Sequence, residues 1–159
     1  MAGNVIGLAA LQDVFTASAR VADELEASRV LDKAAEDIRD RAKGKLGFYQ
    51  PASGPYNTWD TLAAKTLAQK SGDTPLYETG KLESAIQVLP KPDEHTWLVG
   101  IAPGDPMETI GLVQELGSAS RNIPPRPFLA PSAYELQNKI MNDVRAVVIG
   151  LVSGKGIAP

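Results

Sequence analysis

Apolar residues at Val21, Leu25, Leu31, Ala35, Ile38 and Ala42 fall mostly on one stripe of a 3.6-residue repeat, which predicts a long helix from about Val21 to Lys43. Its charges are ordered along the axis. Asp23, Glu24 and Glu26 come early, and Arg39, Arg41, Lys43 and Lys45 come late, which complements the helix dipole at about 0.3–1 kcal/mol each. Gly44 and Gly47 mark its end. Upstream, Val5-Ile6-Gly7 has the pattern of a short edge strand, and Leu8, Leu11 and Phe15 recur at helical spacing before a break over Thr16 to Arg20. Downstream, Phe48 to Asn57 is loop-like, rich in Pro, Gly and Tyr. Trp59, Leu62, Ala63, Thr66 and Leu67 then predict a shorter helix over Thr58 to Lys70.

Ser71-Gly72-Asp73-Thr74-Pro75 is turn chemistry, and Thr79-Gly80-Lys81-Leu82 predicts a capped single turn leading into Ile86. Ile86 and Val88 alternate with polar residues, as do Trp97, Val99 and Ile101 beyond Pro90-Lys91-Pro92-Asp93, so the pair predicts a hairpin. Ile110, Val113 and Leu116 predict a short helix stopped by Gly117. Ser132 with Glu135 three residues on is a capping-box pattern. It predicts a last helix with Ala133, Leu136, Ile140, Val144, Val147 and Leu151 on one face. The expected fold is α+β: a small antiparallel sheet of three to four strands packed with a long N-terminal helix and a C-terminal helix. Residues 1–152 form a single expected domain and 153–159 a loose tail. A sheet that small leaves edges free, and free edges invite pairing with another copy.

Between the last two helices lies Ile123-Pro124-Pro125-Arg126-Pro127-Phe128-Leu129-Ala130-Pro131, which holds four of the chain's 12 prolines. Proline fixes φ and removes a donor, and it pushes the preceding residue toward extended backbone. A stiff, extended arm is expected, with the Arg126 guanidinium suited to a bidentate or stacking contact. Its expected role is presentation to a partner.

Composition adds mainly exclusions. At 159 residues the chain can build a real core, and 43% hydrophobic with 22% charged residues is ordinary for a soluble domain. A net charge of −3 gives no general attraction to nucleic acid or anionic membranes. Without cysteine there is no disulfide framework and no thiolate metal site. MAGNVIGLAALQDVF lacks a basic leader and meets Asp13 early, and no apolar run approaches the roughly 20 residues of a spanning helix. A protein kept in the cytosol, or exported only within something larger, is expected.

Candidate chemistry is sparse. His95, beside Glu94, is the only histidine and cannot alone build a metal set or a triad. Glu36, Asp37 and Asp40 could pair for acid–base work. Arg39 and Arg41 at helical spacing make a solvated, ion-paired face the stronger reading, and a hydrolase built on Glu36 the weakest one. Gly100-Ile101-Ala102-Pro103-Gly104 matches no phosphate-binding fingerprint, and Ser53-Gly54, Ser71-Gly72 and Ser153-Gly154 sit in no nucleophile elbow. Lys43 and Lys45 with Phe48 and Tyr49 form the one basic and aromatic neighbourhood that nucleic acid could stack on, and they are better explained as a helix C-terminus. Trp59 and Trp97 are expected core anchors. No catalytic residue, cofactor or metal site is assigned.

The order of short motifs carries more. Trp59-Asp60-Thr61-Leu62, Thr66-Leu67 and Lys70 precede Leu76-Tyr77-Glu78-Thr79-Gly80-Lys81-Leu82-Glu83-Ser84-Ala85-Ile86. Then come Val99-Gly100, Gln114-Glu115-Leu116-Gly117-Ser118 and Ile123-Pro124-Pro125-Arg126-Pro127-Phe128-Leu129. From about Val30 to Gly150 this succession resembles the tailed-bacteriophage virion-morphogenesis and tail-completion proteins, and the Arg-Pro-Phe arm is its most specific part. Leu116 stands where that family often has Phe, and Ala85 separates Ser84 from Ile86. The resemblance implies a non-enzymatic neck component: a ring, six-fold by expectation, joining a head connector or head-closure protein to a tail terminator or tail tube. DNA would pass through without sequence-specific binding. The implied location is the virion, with the host cytoplasm during assembly and no membrane. Glu115, Arg126, Pro127, Phe128 and Leu129 are the expected subunit or partner interface, with Phe128 as an inserted anchor. The alternative reading is a non-virion protein-binding module or inhibitor that uses the same arm.

Overall fold

Ala35 and Ala42, seven residues apart, are both buried, at 4% and 0% exposure, and they fix which side of the first helix faces inward. In the computed structural model, which describes residues 28–91 and 96–153, this helix (α1) is seen over residues 28–43. The part expected before residue 28 lies outside the described residues, as do the strand expected at Val5-Ile6-Gly7, His95 and the tail from residue 154. A turn follows at once. Gly44 N–H donates to Asp40 O at 3.0 Å, and Gly47, at φ 91°, takes a left-handed conformation that a side chain would strain.

The second helix is shorter than its pattern suggests. It spans Ala64–Gln69 (α2) and buries no residue. Trp59 precedes it in a segment without regular secondary structure and is 4% exposed. Its backbone N–H is tied to Gln50 O at 3.0 Å, which keeps the segment from winding into the helix. The single turn at Lys81–Ala85 (α3) forms where expected, but it is opened by Gly80 at φ 72° without the side-chain cap that the pattern suggested. It leads directly into strand β1, Ile86–Lys91, which pairs antiparallel with β2, Thr96–Ile101. The register sets Ile86 opposite Ile101 and Val88 opposite Val99, so the alternating apolar residues share a face. Among the described residues the sheet has these two strands only, short of the three or four anticipated. Two isolated bridges, Ser53 with Tyr56 and Ser118 with Ile123, are the other pairings.

Helix α4 spans Glu108–Leu116 and stops at Gly117. The expected stripe of Ile110, Val113 and Leu116 does not face the core. Leu116 is 69% exposed, and the buried position is Gly111. A Cβ there would stand 2.4 Å from Ile101 Cδ1, so the helix comes closest to β2 where it has no side chain. A 3-10 turn at Ala119–Arg121 and the proline segment then lead to α5, Leu129–Ser153. At about 1.5 Å per residue, α5 is about 37 Å long.

Phe128, Ile86, Ala42, Leu46, Trp59 and Leu82 meet in one cluster, flanked by Tyr49, Leu76, Ile101, Met107 and Leu129. The fold is therefore α+β, with a two-stranded antiparallel sheet and a long C-terminal helix. Helices α1 and α5 lie side by side through an ionic seam. Arg41 Nε reaches Glu135 at 2.7 Å, and Lys139 bridges Asp37 at 3.0 Å and Asp143 at 2.7 Å. As the numbers rise along α1 they fall along α5, so the two run antiparallel.

Candidate functional site

The proline arm is the place where the motif residues of the chain converge. Gly117 turns the chain out of α4 at φ 76°. A Cβ there would lie 3.0 Å from Ile123 O, Pro125 N and Pro125 Cδ, so both the backbone angle and the space call for glycine. Ser118 and Ile123 exchange backbone hydrogen bonds at 2.8 and 2.9 Å around the 3-10 turn, with Asn122 in the left-handed region at φ 52°. The arm then doubles back along α4, and Arg126 N–H donates to Gln114 O at 2.6 Å.

One side chain fixes the next step. Glu115 accepts the backbone N–H groups of Phe128 and Leu129 on Oε2, at 2.8 and 3.0 Å, and that of Ala130 on Oε1 at 2.9 Å. The first N–H groups of a helix have no intrahelical partner and carry the positive end of its dipole. A carboxylate fourteen residues upstream of Leu129 therefore caps α5. The capping-box expectation is corrected here. Ser132 lies inside the first turn and donates to Phe128 O at 2.6 Å, while Glu135 turns to Arg41 and Lys45.

Arg126 and Phe128 face inward. Arg126 is 6% exposed, and its Nη2 donates to Asp60 O at 3.0 Å and Thr61 O at 3.2 Å. Trp59 Nε1 donates to Pro127 O at 3.2 Å. Phe128 is fully buried at the centre of the core. In the single chain the arm is thus a brace that ties α4, the Trp59 segment and α5 together, not a presented surface. The physical reason is the side chain of Phe128, whose burial contributes about 1.5–3 kcal/mol and is met by a pocket of its own chain. Pro127 and Leu129 are half-buried beside it, and Pro125 keeps an exposed side.

A groove of about 1000 Å³ opens beside the brace, between the Asp60–Ala63 segment, α4 and the Ser118–Pro124 turn. Arg126 and Gln114 are among its lining residues, and each has one buried polar atom without a hydrogen-bond partner, Arg126 Nε and Gln114 Oε1. No carboxylate of the described residues forms an ion pair with Arg126. Gln114 belongs to the same motif run as Glu115, yet its type and spacing gave no sign of a role.

The other candidates resolve into structure. Asp37 is held below its usual range first by hydrogen bonding from Lys33 and then from Lys139. Asp40 pairs with Arg39 at 2.7 Å, and Glu36 is exposed. Lys45 is 6% exposed and bonded to Glu135 at 2.7 Å, so it is not available to a phosphate backbone. Burial pushes the Glu135 carboxyl up, but hydrogen bonds from Lys45, Arg41 and Ser53 outweigh it and hold the group below its ordinary value. The Tyr49 hydroxyl binds the Asp73 carboxylate and accepts Leu62 N–H at 3.1 Å. Among the described residues no group of three or more His, Cys, Asp or Glu could hold a metal, and no helix is long and apolar enough to cross a membrane. No protein-family model, curated protein or solved structure matches the chain.

Proposed function

We propose that the chain is a structural virion protein of the tailed-bacteriophage neck, a tail-completion or head–tail joining subunit that acts by assembling into a ring and not by catalysis. The observation that carries this reading is the fate of the motif series. Trp59, Glu115, Gly117, Arg126, Pro127 and Phe128, which resemble the neck family in their order, all contribute to one brace. A fold that depends on this brace gives such a series a reason to occur together.

The surface supports the same reading. The described residues expose Phe48, Leu112, Leu116, Met141, Val148 and Ile149 at 51–69%, while the core holds few large side chains. Large apolar residues left outside a thin core are suited to burial between subunits. Leu112 and Leu116, one helical turn apart on α4, lie next to the brace in sequence and form a contact patch on its outer side. The ring is six-fold in this proposal, seated between a head connector and a tail terminator or tube, with DNA passing through its lumen. A helix reaching back to Val21 and a sheet of three or four strands belong to the same proposal. The rival reading is a non-virion binding module or inhibitor that uses the same arm; the burial of Arg126 and Phe128 bears equally on both readings and moves the proposed contact from those two side chains to the exposed residues around the brace.

The test is location in a particle. Gold-labelled antibody or cryo-electron microscopy of purified virions is expected to place the protein at the head–tail junction. Its absence from purified particles, or its presence only in the tail fibres or capsid shell, would sink the proposal.

A further inference from the structure

Leucine resists the left-handed region, yet Leu76 sits there at φ 60°. Among the described residues the other non-glycine at positive φ is Asn122, a residue type that tolerates it. Tyr77 N–H points back to Thr74 O at 3.4 Å, which closes Thr74-Pro75-Leu76-Tyr77 as a four-residue turn. With proline second and a positive φ third it has the type II form, whose third place calls for glycine or asparagine. The type I form suits proline and leucine alike, and the two forms differ by a flip of the central peptide plane.

The surroundings hold the strained form. The central peptide joins Pro75 to Leu76, and Pro75 O accepts Gly47 N–H at 2.8 Å. A flip would turn that carbonyl away from Gly47. Pro75 is fully buried, and Lys70 staples the two ends of the turn. Its Nζ donates to Thr74 O at 2.6 Å and to Tyr77 O at 3.1 Å. Thr74 Oγ1 adds a bond to Tyr77 O at 2.7 Å. With both ends held, the plane between Pro75 and Leu76 is the part left to move. Backbone strain kept in place by its surroundings is a mark of switch regions.

This plane lies between two surfaces. On one side the Leu76 side chain flanks the core cluster and lines the groove beside the brace. On the other, Gly47 leads straight into Phe48, which is 69% exposed. Gln50 Nε2 donates to Phe48 O at 2.9 Å and to Lys45 O at 3.0 Å, so Phe48 is displayed on a closed turn that Gly47 ties to Pro75.

We propose that the Pro75–Leu76 peptide plane is a two-position switch between the groove wall and the Phe48 turn. In the position seen, Pro75 O holds Gly47 and the Phe48 turn is fixed. In the other, Leu76 takes a negative φ, Gly47 N–H is released and the Phe48 turn loosens. Contact with Leu76 from the groove side thereby reaches Phe48, and the coupling runs both ways.

The experiment measures amide hydrogen exchange and nuclear Overhauser spectra of the full chain, in the parent, Leu76→Asn and Leu76→Val. Asparagine tolerates a positive φ, and valine, branched at Cβ, resists it most. The parent is expected to show at residue 76 the strong intraresidue HN–Hα cross-peak of a positive φ. Leu76→Asn is expected to keep that cross-peak and to leave Gly47 N–H at least as protected as in the parent. Leu76→Val is expected to lose the cross-peak, to exchange Gly47 N–H about ten-fold faster and to shift the Phe48 resonances. Phe128 N–H, bonded to Glu115 at 2.8 Å, reports global unfolding, and the Gly47 rates are read relative to it. A role in packing alone predicts the reverse order, because valine keeps an apolar side chain and asparagine does not. Valine protecting Gly47 as well as asparagine does, a parent without the cross-peak, or Phe48 resonances unmoved by valine would overturn the switch. Should Leu76→Asn fail to fold, Leu76→Gly takes its place with the same expectation. None of these outcomes depends on particle location, so the switch and the neck reading stand or fall separately.

Discussion

A single carboxylate, that of Glu115, accepts three backbone N–H groups at the start of α5. Bonds from neutral donors to a charged acceptor are worth more than neutral pairs, and their loss strands buried donors. Glu115→Ala is therefore expected to reduce unfolding free energy by about 2–3 kcal/mol, and Glu115→Gln, which keeps one carbonyl oxygen, by less. Urea titration checks this, and a change below about 0.5 kcal/mol for the alanine variant would mean that the cap does not hold the arm. Gly117 gives a second prediction at the same scale. Alanine there meets both the positive φ and three atoms at 3.0 Å. Gly117→Ala should cost about 1–3 kcal/mol in thermal unfolding, well beyond what an exposed helix-end glycine would show. Both residues were visible in the sequence as a motif. Their jobs were not, because the partners of Glu115 lie thirteen to fifteen residues ahead, and it took the fold to show that the arm doubles back on α4.

At the scale of elements, the seam between α1 and α5 is the part most open to manipulation by pH. Asp37 and Glu135 both sit below their ordinary values of 3.8 and 4.5, the former chiefly through hydrogen bonding by Lys33, the latter because Lys45, Arg41 and Ser53 outweigh the cost of burial. A carboxylate with a depressed folded value contributes stability that is complete above its unfolded value and is lost as pH falls through the folded one. The unfolding midpoint is thus expected to hold near neutrality and to drop as pH is lowered from about 5 to about 3, with a smaller drop in Glu135→Gln. Equal acid sensitivity in that variant and the parent would show that Glu135 does not couple the seam to pH. Periodicity located these elements well. Helical residues 28–43 fall within the helix expected from Val21 to Lys43, and the single turn before Ile86, the pairing of the two hairpin strands and the stop at Gly117 lie where spacing and turn residues place them. It failed for α2 and α4. Trp59 is buried from a segment outside any helix, and α4 meets β2 through Gly111, so apolar residues at helical spacing did not mark the inner face.

For the whole molecule the decisive contrast is between Phe128 and Leu116. Phe128 is 0% exposed at the centre of the core, and Phe128→Ala is expected to cost about 3–5 kcal/mol and to unfold the subunit. Leu116 is 69% exposed, so Leu116→Glu should leave the unfolding midpoint within about 0.5 kcal/mol of the parent. In the proposed neck role the same variant should fail to enter particles, which sedimentation of assembly products from a complemented infection would read. A folded Phe128→Ala subunit that fails only in assembly would return the arm to the surface. The sequence by itself determined the α+β class, the hairpin, the C-terminal helix, the stop at Gly117, the absence of cysteine chemistry and the succession of motifs, since these follow from local spacing and composition. Only the tertiary structure decided which way the arm faces. A stiff, proline-rich segment is extended in either case. Whether its arginine and phenylalanine point at a partner or at their own core depends on contacts with residues as distant as Asp60 and Ile86, and no local pattern encodes those.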